Sequence, residues 1–149
     1  MSHVALFFHI LGALLFFSGA AVAGAASESA RRRSDVREIA VVLGIARLGA
    51  ALVGIGGLLV LAFGFWLAHL TDASFDQAWL QAALALFVAA GALGGIGGRK
   101  PRRARELAEA AGDVGEIRRL LDDGLSRGAN YASAAIVVAI LALMIWQPG

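Results

Sequence analysis

The chain alternates between long apolar stretches and shorter polar segments. Four stretches contain no Asp, Glu, Lys or Arg, and they cover residues 4–26, 48–70, 78–98 and 129–146. The hydrocarbon core of a bilayer is about 30 Å thick, so roughly 20 apolar residues in a helix are enough to cross it. The pattern therefore predicts four transmembrane helices in one all-α membrane domain, residues 1–149, arranged as a four-helix bundle.

The composition changes this picture little. Of the 149 residues, 59% are hydrophobic and 16% are charged, which leaves too little polar surface to cover a water-soluble globule. Cysteine is absent, and this excludes both a disulfide framework and a thiolate metal site.

Basic residues are concentrated in two of the three connections between the spans. Of the 13 Lys and Arg residues, all but Arg47 lie in or beside the connections 27–35 and 99–128. The connection 71–77 is acidic, with Asp72 and Asp76. Because positive charge stays in the cytoplasm, we expect a multi-pass protein of the bacterial inner membrane with both termini outside. The two basic connections are then cytoplasmic.

Residues at the ends of the spans agree with this topology. Trp66, Trp79 and Trp146 lie at ends that face outside, where amphipathic rings prefer the membrane interface. If Ser34 caps a second helix that begins at residue 36 rather than 48, Arg47 lies at the inner boundary and can reach lipid phosphates.

The connection 99–128 has a helical periodicity of its own. Helices are predicted over residues 102–111 and 114–125, with Asp113 capping the second. Apolar residues recur at steps of three and four opposite a charged face, as in an amphipathic helix lying on the cytoplasmic membrane interface. A helix packed beneath the ends of the bundle and a platform for a cytoplasmic partner are the alternatives.

The positive charge does not indicate nucleic acid as a partner. The formal net charge is +2, and no aromatic residue interrupts the arginine clusters to stack on bases. Anionic lipid headgroups explain the basic connections better.

The glycine-rich segment 91–101 lacks the Ser or Thr that a phosphate-binding loop places after its lysine.

Small residues in the apolar stretches predict close helix packing, because they let backbones approach each other. Gly91 and Gly95 form a small-xxx-small pair in the third span. The other packing candidates are glycines of the first span and glycines that share one side of the second span on a 100° wheel. They are Gly12 and Gly19, and Gly54, Gly57 and Gly64.

His9 is the one ionisable residue well inside a span. On a helical wheel it lies on the same side as Gly12 and Ala13, so we expect it to face a neighbouring helix. A histidine at this depth is either a functional ligand or a neutral imidazole bonded to a backbone carbonyl or to Gln81.

The other histidines lie towards the same side of the membrane. His69 is the candidate second ligand of a b-type haem, together with His9. A weaker candidate is a divalent metal held by His3, His69 and Asp72.

No catalytic residue is predicted, and an enzyme is the less favoured class. The spans contain no carboxylate for an ion pump, a proton relay or an aspartyl protease. Ser18 and Ser133 lack the base that a serine nucleophile needs.

The first span carries a short motif made of Phe8, His9, Gly12, Ala13 and Gly19. The segment "GGRKPRRARELAEA" includes the end of the third span and the residues that follow it. With the four-span layout, they resemble a family of uncharacterised bacterial predicted integral membrane proteins, a domain of unknown function. The first helix is also loosely similar to copper-resistance D type and membrane protoporphyrinogen-oxidase type bundles. That resemblance implies haem or metal binding by the first-helix histidine. The proline-threonine-glycine pattern of the family's second span is missing.

The function we expect is that of a non-enzymatic accessory or structural membrane subunit, in a homo-oligomer or a larger membrane complex. The alternative is a haem- or metal-binding membrane redox protein that uses His9, with His69 or His3. A small transporter ranks third, since it would need a polar path through the spans.

Overall fold

The computed structural model describes residues 2–70 and 77–146. Within these ranges all regular secondary structure is α-helical. The helices are α1 (Ser2–Arg31), α2 (Val36–Leu70), α3 (Ala78–Glu109), α4 (Val114–Leu121) and α5 (Gly124–Trp146). Four helical segments are long and apolar enough to cross a membrane, which confirms the predicted all-α membrane fold.

Three helices are longer than a bilayer crossing requires. Their 30, 35 and 32 residues correspond to about 45, 52 and 48 Å at 1.5 Å per residue. Residues 27–31 and 99–109, assigned to connections from the sequence, are helical continuations of α1 and α3. Arg31 and the arginines between residues 99 and 109 therefore lie in helix, whereas Arg32 and Arg33 lie in the connection after α1.

Aspartates cap the helices that follow the two arginine-bearing segments. The Asp35 carboxylate accepts hydrogen bonds from the backbone N–H groups of Arg37, at 2.7 Å, and Glu38, at 3.4 Å. The prediction that Ser34 caps α2 is therefore wrong by one residue, because the carboxylate one position later reaches the free N–H groups. Asp113 accepts from the N–H of Glu116 at 2.9 Å, as predicted.

The chain divides into two compact units, Met1–Ser74 and Phe75–Gly149. The first unit is an antiparallel hairpin of α1 and α2. Gly12 lies against Leu59, and further along α1 Gly19 lies against Gly49. A Cβ added at Gly19 would lie 2.6 Å from the Gly49 carbonyl oxygen. The two backbones therefore touch.

The contact line of this hairpin repeats every seven residues. The buried small residues on this line are Ala5, Gly12, Gly19 and Ala26 in α1, and Gly49 and Gly56 in α2. A seven-residue repeat corresponds to 3.5 residues per turn, which keeps one face on the partner helix through a left-handed supercoil. We call this line the glycine seam.

The second unit contains a hairpin of α3 and α5 with the same spacing. The buried residues of α3 include Ala83, Ala90, Gly97 and Ala104. Two polar side chains of α5 donate hydrogen bonds to carbonyl oxygens on this line. Ser133 Oγ lies 2.9 Å from the Ala90 oxygen, and Asn130 Nδ2 lies 3.4 Å from the Gly97 oxygen.

Helix α4 packs by its apolar face inside the second unit. Ile117 and Leu121 are 0% and 1% exposed, and α3 is the helix that α4 contacts. These two side chains belong to the apolar stripe of the predicted amphipathic segment, and protein covers both of them. This packing agrees with the alternative of a helix packed against protein, while the membrane-interface location of the segment stays a prediction.

The turn between α3 and α4 is built on a left-handed residue. Ala111 has φ 53°, and the N–H of Gly112 donates to the Leu107 carbonyl at 2.8 Å while that of Ala111 donates to Ala108 at 3.1 Å. This is the Schellman arrangement, in which the left-handed position usually carries glycine.

Candidate functional site

His9 is half-buried and lies in the N-terminal part of α1, within the contact between the two helices of the hairpin. Its Nδ1 is 3.0 Å from the carbonyl oxygen of Val60 on α2. A carbonyl only accepts, so Nδ1 carries the proton and donates. In the neutral ring Nε2 then keeps its lone pair. Of the two predicted bonding partners, the structure shows the backbone carbonyl.

Gly64 makes room for the imidazole. A Cβ at this position would lie 3.1 Å from His9 Cε1 and 3.2 Å from His9 Nδ1. Gly64 also follows Val60 by one helical turn, so its missing side chain leaves the Val60 carbonyl open to a donor from α1. Gly64, predicted as a packing residue, is thus the residue over which the His9 ring lies.

Aromatic rings gather at the same end of the hairpin. Phe8 stacks on Phe63 across the two helices, with ring centroids 4.7 Å apart and an interplanar angle of 20°. Phe63 lies 5.8 Å from Trp66, and Phe7 meets Phe8 edge-on at 5.4 Å. Stacked and edge-on aromatic pairs add to the hydrophobic stabilisation of a helix contact. The His9 hydrogen bond is therefore placed beside a rigid apolar cluster.

The structure does not bring the other predicted ligands to His9. His69 is exposed at the end of α2, about 140° around that helix from Gly64. His3 is exposed on α1, about 120° around the helix from His9. Asp72 lies outside the described residues. Among residues 2–70 and 77–146, no group of three or more His, Cys, Asp or Glu side chains could hold a metal ion.

The predicted packing glycines divide into two groups. Gly12 and Gly19 lie on the glycine seam, and Gly57 is buried beside it. By contrast, apart from the adjoining residues and nearby backbone of the same helix, no described atom of their own hairpins lies within 4 Å of a Cβ built at Gly54, Gly91 or Gly95. These three glycines point away from their hairpin partners.

Sequence reasoning missed Gly49, Gly56 and Gly97. Each touches the partner helix so closely that an added Cβ would collide with it. The signal was present as a seven-residue spacing in α2 and in α3. On a wheel drawn at 100° per residue Gly49 and Gly56 lie only about 20° apart, but they are about 140° and 160° from Gly54. Small residues thus occupy more than one side of α2, and the wheel does not show which side the partner helix covers.

The predicted interface residues lie at the surface. Trp66, Trp146 and Arg47 are exposed. Trp79 is half-buried, and its Nε1–H donates to the Gln77 side-chain oxygen at 3.0 Å. An indole with one polar and one apolar edge suits the boundary between lipid and water.

Comparison with known proteins agrees with the membrane architecture. Residues 3–148 match the family described as predicted integral membrane protein (DUF2269). No curated protein and no solved structure matches the chain. The match covers nearly the whole length and includes His9, the glycine seam and both hairpins. The chain therefore belongs to the DUF2269 family of predicted integral membrane proteins, a family of unknown function.

Proposed function

We propose that the protein is a non-catalytic membrane module that associates with other membrane-embedded helices, as a homo-oligomer or as a subunit of a larger complex. The observation that carries the proposal is the outward face of α2. Ala50 and Gly54 are both exposed and lie four residues apart, which is the spacing that lets two transmembrane helices approach closely.

This outward face is independent of the glycine seam. Gly54 lies about 140° and 160° around α2 from Gly49 and Gly56. α1 occupies the seam side, so the Ala50–Gly54 side is not used within the hairpin. Next to it Leu58 is 71% exposed, and a large apolar residue beside a small pair is a suitable surface for a second helix.

The proposed setting is the bacterial inner membrane with both termini outside. The placement of arginine supports this orientation, because Lys and Arg near span ends stay in the cytoplasm. Arg31 and Arg99 mark the ends of the two apolar segments that would face inward.

A pair of glycine substitutions tests the association. Gly54→Leu fills the outward face of α2, while Gly24→Leu is a matched control, since Gly24 also has open space around it in the described structure. In a mild detergent the wild type and Gly24→Leu should migrate above the 15.4 kDa of a single chain. Gly54→Leu should lower the native mass. A wild type of single-chain mass, or an unchanged mass in Gly54→Leu, contradicts the proposal.

The second candidate function, haem or metal binding through His9, is favoured by one observation. The bond from Nδ1 to Val60 leaves Nε2 as the free nitrogen, and histidine ligands are commonly oriented by such a bond from their other nitrogen. A bound b-type haem would supply one-electron redox chemistry. The described residues fit a single histidine ligand, because neither His3 nor His69 faces His9 within the hairpin.

Spectroscopy and metal analysis test this second function. Protein purified from membranes should show a haem absorption band or stoichiometric metal, and His9→Ala should abolish it. Gly24→Leu should retain it. A wild-type sample without haem, copper or zinc rules the second function out and leaves the association proposal untouched.

A further inference from the structure

One face of α3 combines an exposed apolar track with three cations. Val88, Ala92 and Ile96 are exposed in the apolar part, and Arg99, Lys100 and Arg103 are exposed just beyond it. At 100° per residue all six lie within an arc of about 120°. We call these six residues the lipid face of α3.

The cations of the lipid face have no internal counter-charge. Among residues 2–70 and 77–146, no carboxylate lies within 4.0 Å of Arg99, Lys100 or Arg103. Neighbouring arginines of the same helix are paired, since Arg102 lies 3.3 Å from Glu106 and Arg105 lies 2.6 Å from Glu109. Arg102 and Arg105 are thus neutralised within α3, whereas the three cations of the lipid face can bind an anion of another molecule.

The position of these cations matches the depth of phosphate groups. The apolar part of α3 ends at Gly98, and Arg99 follows directly. Arg103 lies about 6 Å further along the axis. Long basic side chains at such a boundary keep their stems in the apolar region and place their charge among the headgroups.

The packing of the second hairpin leaves this face open. The contact with α5 runs through Ala90 and Gly97, and Gly97 lies about 160° around the helix from Arg99. At 100° per residue the lipid face lies between about 60° (Lys100) and about 180° (Val88) around α3 from Gly97, so it lies beside the helix contact and not on it.

We propose that the lipid face of α3 binds one anionic phospholipid of the surrounding bilayer. Arg99, Lys100 and Arg103 hold the phosphate of the headgroup, and an acyl chain lies along Val88, Ala92 and Ile96. Charge complementarity selects this occupant, because an anionic head joined to an apolar tail matches three cations joined to an apolar track. The site is more specific than the general attraction of basic segments to anionic membranes.

The full chain reconstituted in phosphatidylcholine vesicles tests the site. Spin-labelled phosphatidylglycerol and spin-labelled phosphatidylcholine are added in separate samples, and the motionally restricted fraction of each is measured by electron paramagnetic resonance. The wild type should prefer phosphatidylglycerol. The R99Q/K100Q/R103Q variant should lower that preference by about fivefold or more, since each cation near a headgroup contributes about that factor.

A second triple variant separates the site from overall charge. R37Q/R119Q/R127Q removes the same number of charges at exposed arginines elsewhere, and it should keep the preference. The R99K/R103K variant should keep it as well, which guards against loss through misfolding of the first variant. Equal loss in both triple variants, or no loss in R99Q/K100Q/R103Q, overturns the proposal.

Cross-linking tests whether protein covers the face instead. The chain has no cysteine, so Ala92→Cys introduces a single thiol into the track. Under oxidising conditions in vesicles we expect no disulfide between the residue-92 thiols of two copies, whatever association occurs through α2. Efficient formation of a disulfide between two copies would show that a second chain occupies the face, and the lipid site would then be wrong.

Discussion

Asn130 gives the Gly97 carbonyl the hydrogen-bond donor that α3 itself lacks. Gly97 lies four residues before Pro101, which is inside the helix and has no N–H to offer. The Asn130 amide on α5 reaches that oxygen at 3.4 Å. A Cβ at Gly97 would overlap the Asn130 side chain, so glycine, proline and asparagine form one unit. A backbone group freed inside an apolar helix is thus satisfied by the neighbouring helix.

A double-mutant cycle tests this relationship. Asn130→Ala should destabilise the protein by about 1 kcal/mol. In a Pro101→Ala background the cost should be smaller, because the new N–H at residue 101 donates to Gly97. The measurement is the free energy of unfolding in mixed detergent and SDS. Ser133→Ala, which removes the separate bond to Ala90, should be additive with Pro101→Ala. Equal costs of Asn130→Ala in both backgrounds would contradict the coupling.

The glycine seam should tolerate no side chain. Gly19→Ala places a Cβ within 2.8 Å of the Val53 backbone nitrogen, so the helices must separate, at a cost of about 1–3 kcal/mol. Gly24→Ala, five residues further along α1, meets open space and should be neutral or stabilising because alanine favours helix. Thermal unfolding in detergent compares the two variants. The prediction fails if both alanines have the same effect.

Two substitutions of His9 distinguish the role of its Nδ1 hydrogen bond from the role of its free Nε2. The amide nitrogen of His9→Asn occupies the position of Nδ1 and can donate to Val60, whereas Nε2 is lost. We expect His9→Asn to be within about 0.5 kcal/mol of the wild type and His9→Ala to lose about 1 kcal/mol. If Nε2 is a ligand, both variants should lose the bound group. Equal stability of His9→Ala and the wild type would argue against a structural role of the bond.

Ala111→Gly should stabilise the second hairpin. Ala111 holds a left-handed backbone with φ 53°, which costs a residue with a Cβ about 1–2 kcal/mol relative to glycine. Ala110→Gly, one residue earlier with φ −84°, is the matched control and should not stabilise. Both are measured by unfolding in the same detergent. A loss of stability in Ala111→Gly would mean that the turn needs the alanine methyl.

The orientation can be tested with single cysteines. Ser2→Cys lies near the N-terminus, and Ser34→Cys lies between α1 and α2. Both positions are exposed. In intact cells a membrane-impermeant maleimide should label Ser2→Cys, while Ser34→Cys should react only after the cells are lysed. The reverse pattern would place the arginines outside and invert the proposed topology.

The apolar stretches predicted the number and approximate position of the spanning helices. This succeeds because lipid requires every crossing segment to satisfy its own backbone hydrogen bonds. The true helix ends were less visible. Residues 27–31 and 99–109 are polar and charged, so hydropathy treats them as connections, whereas the backbone continues as helix through both.

The helix contacts were predicted only in part. The wheel placed His9 on the side of Gly12, and both do face α2. It also favoured Gly54 over Gly49 and Gly56, because small residues occupy both sides of α2 and the sequence does not show which side α1 covers. The Val60 partner of His9 is a main-chain carbonyl, which no pattern of side chains could identify.

The glycine seam also determines how the first hairpin can assemble. On α2, Val42 lies seven residues before Gly49, and Phe63 lies seven residues after Gly56. A slip of α2 by seven residues would bring one of these bulky side chains against a glycine of α1, where the backbones leave no room. Slippage is therefore penalised in both directions. The close contacts of the glycine seam therefore hold the two helices in one register against a seven-residue shift.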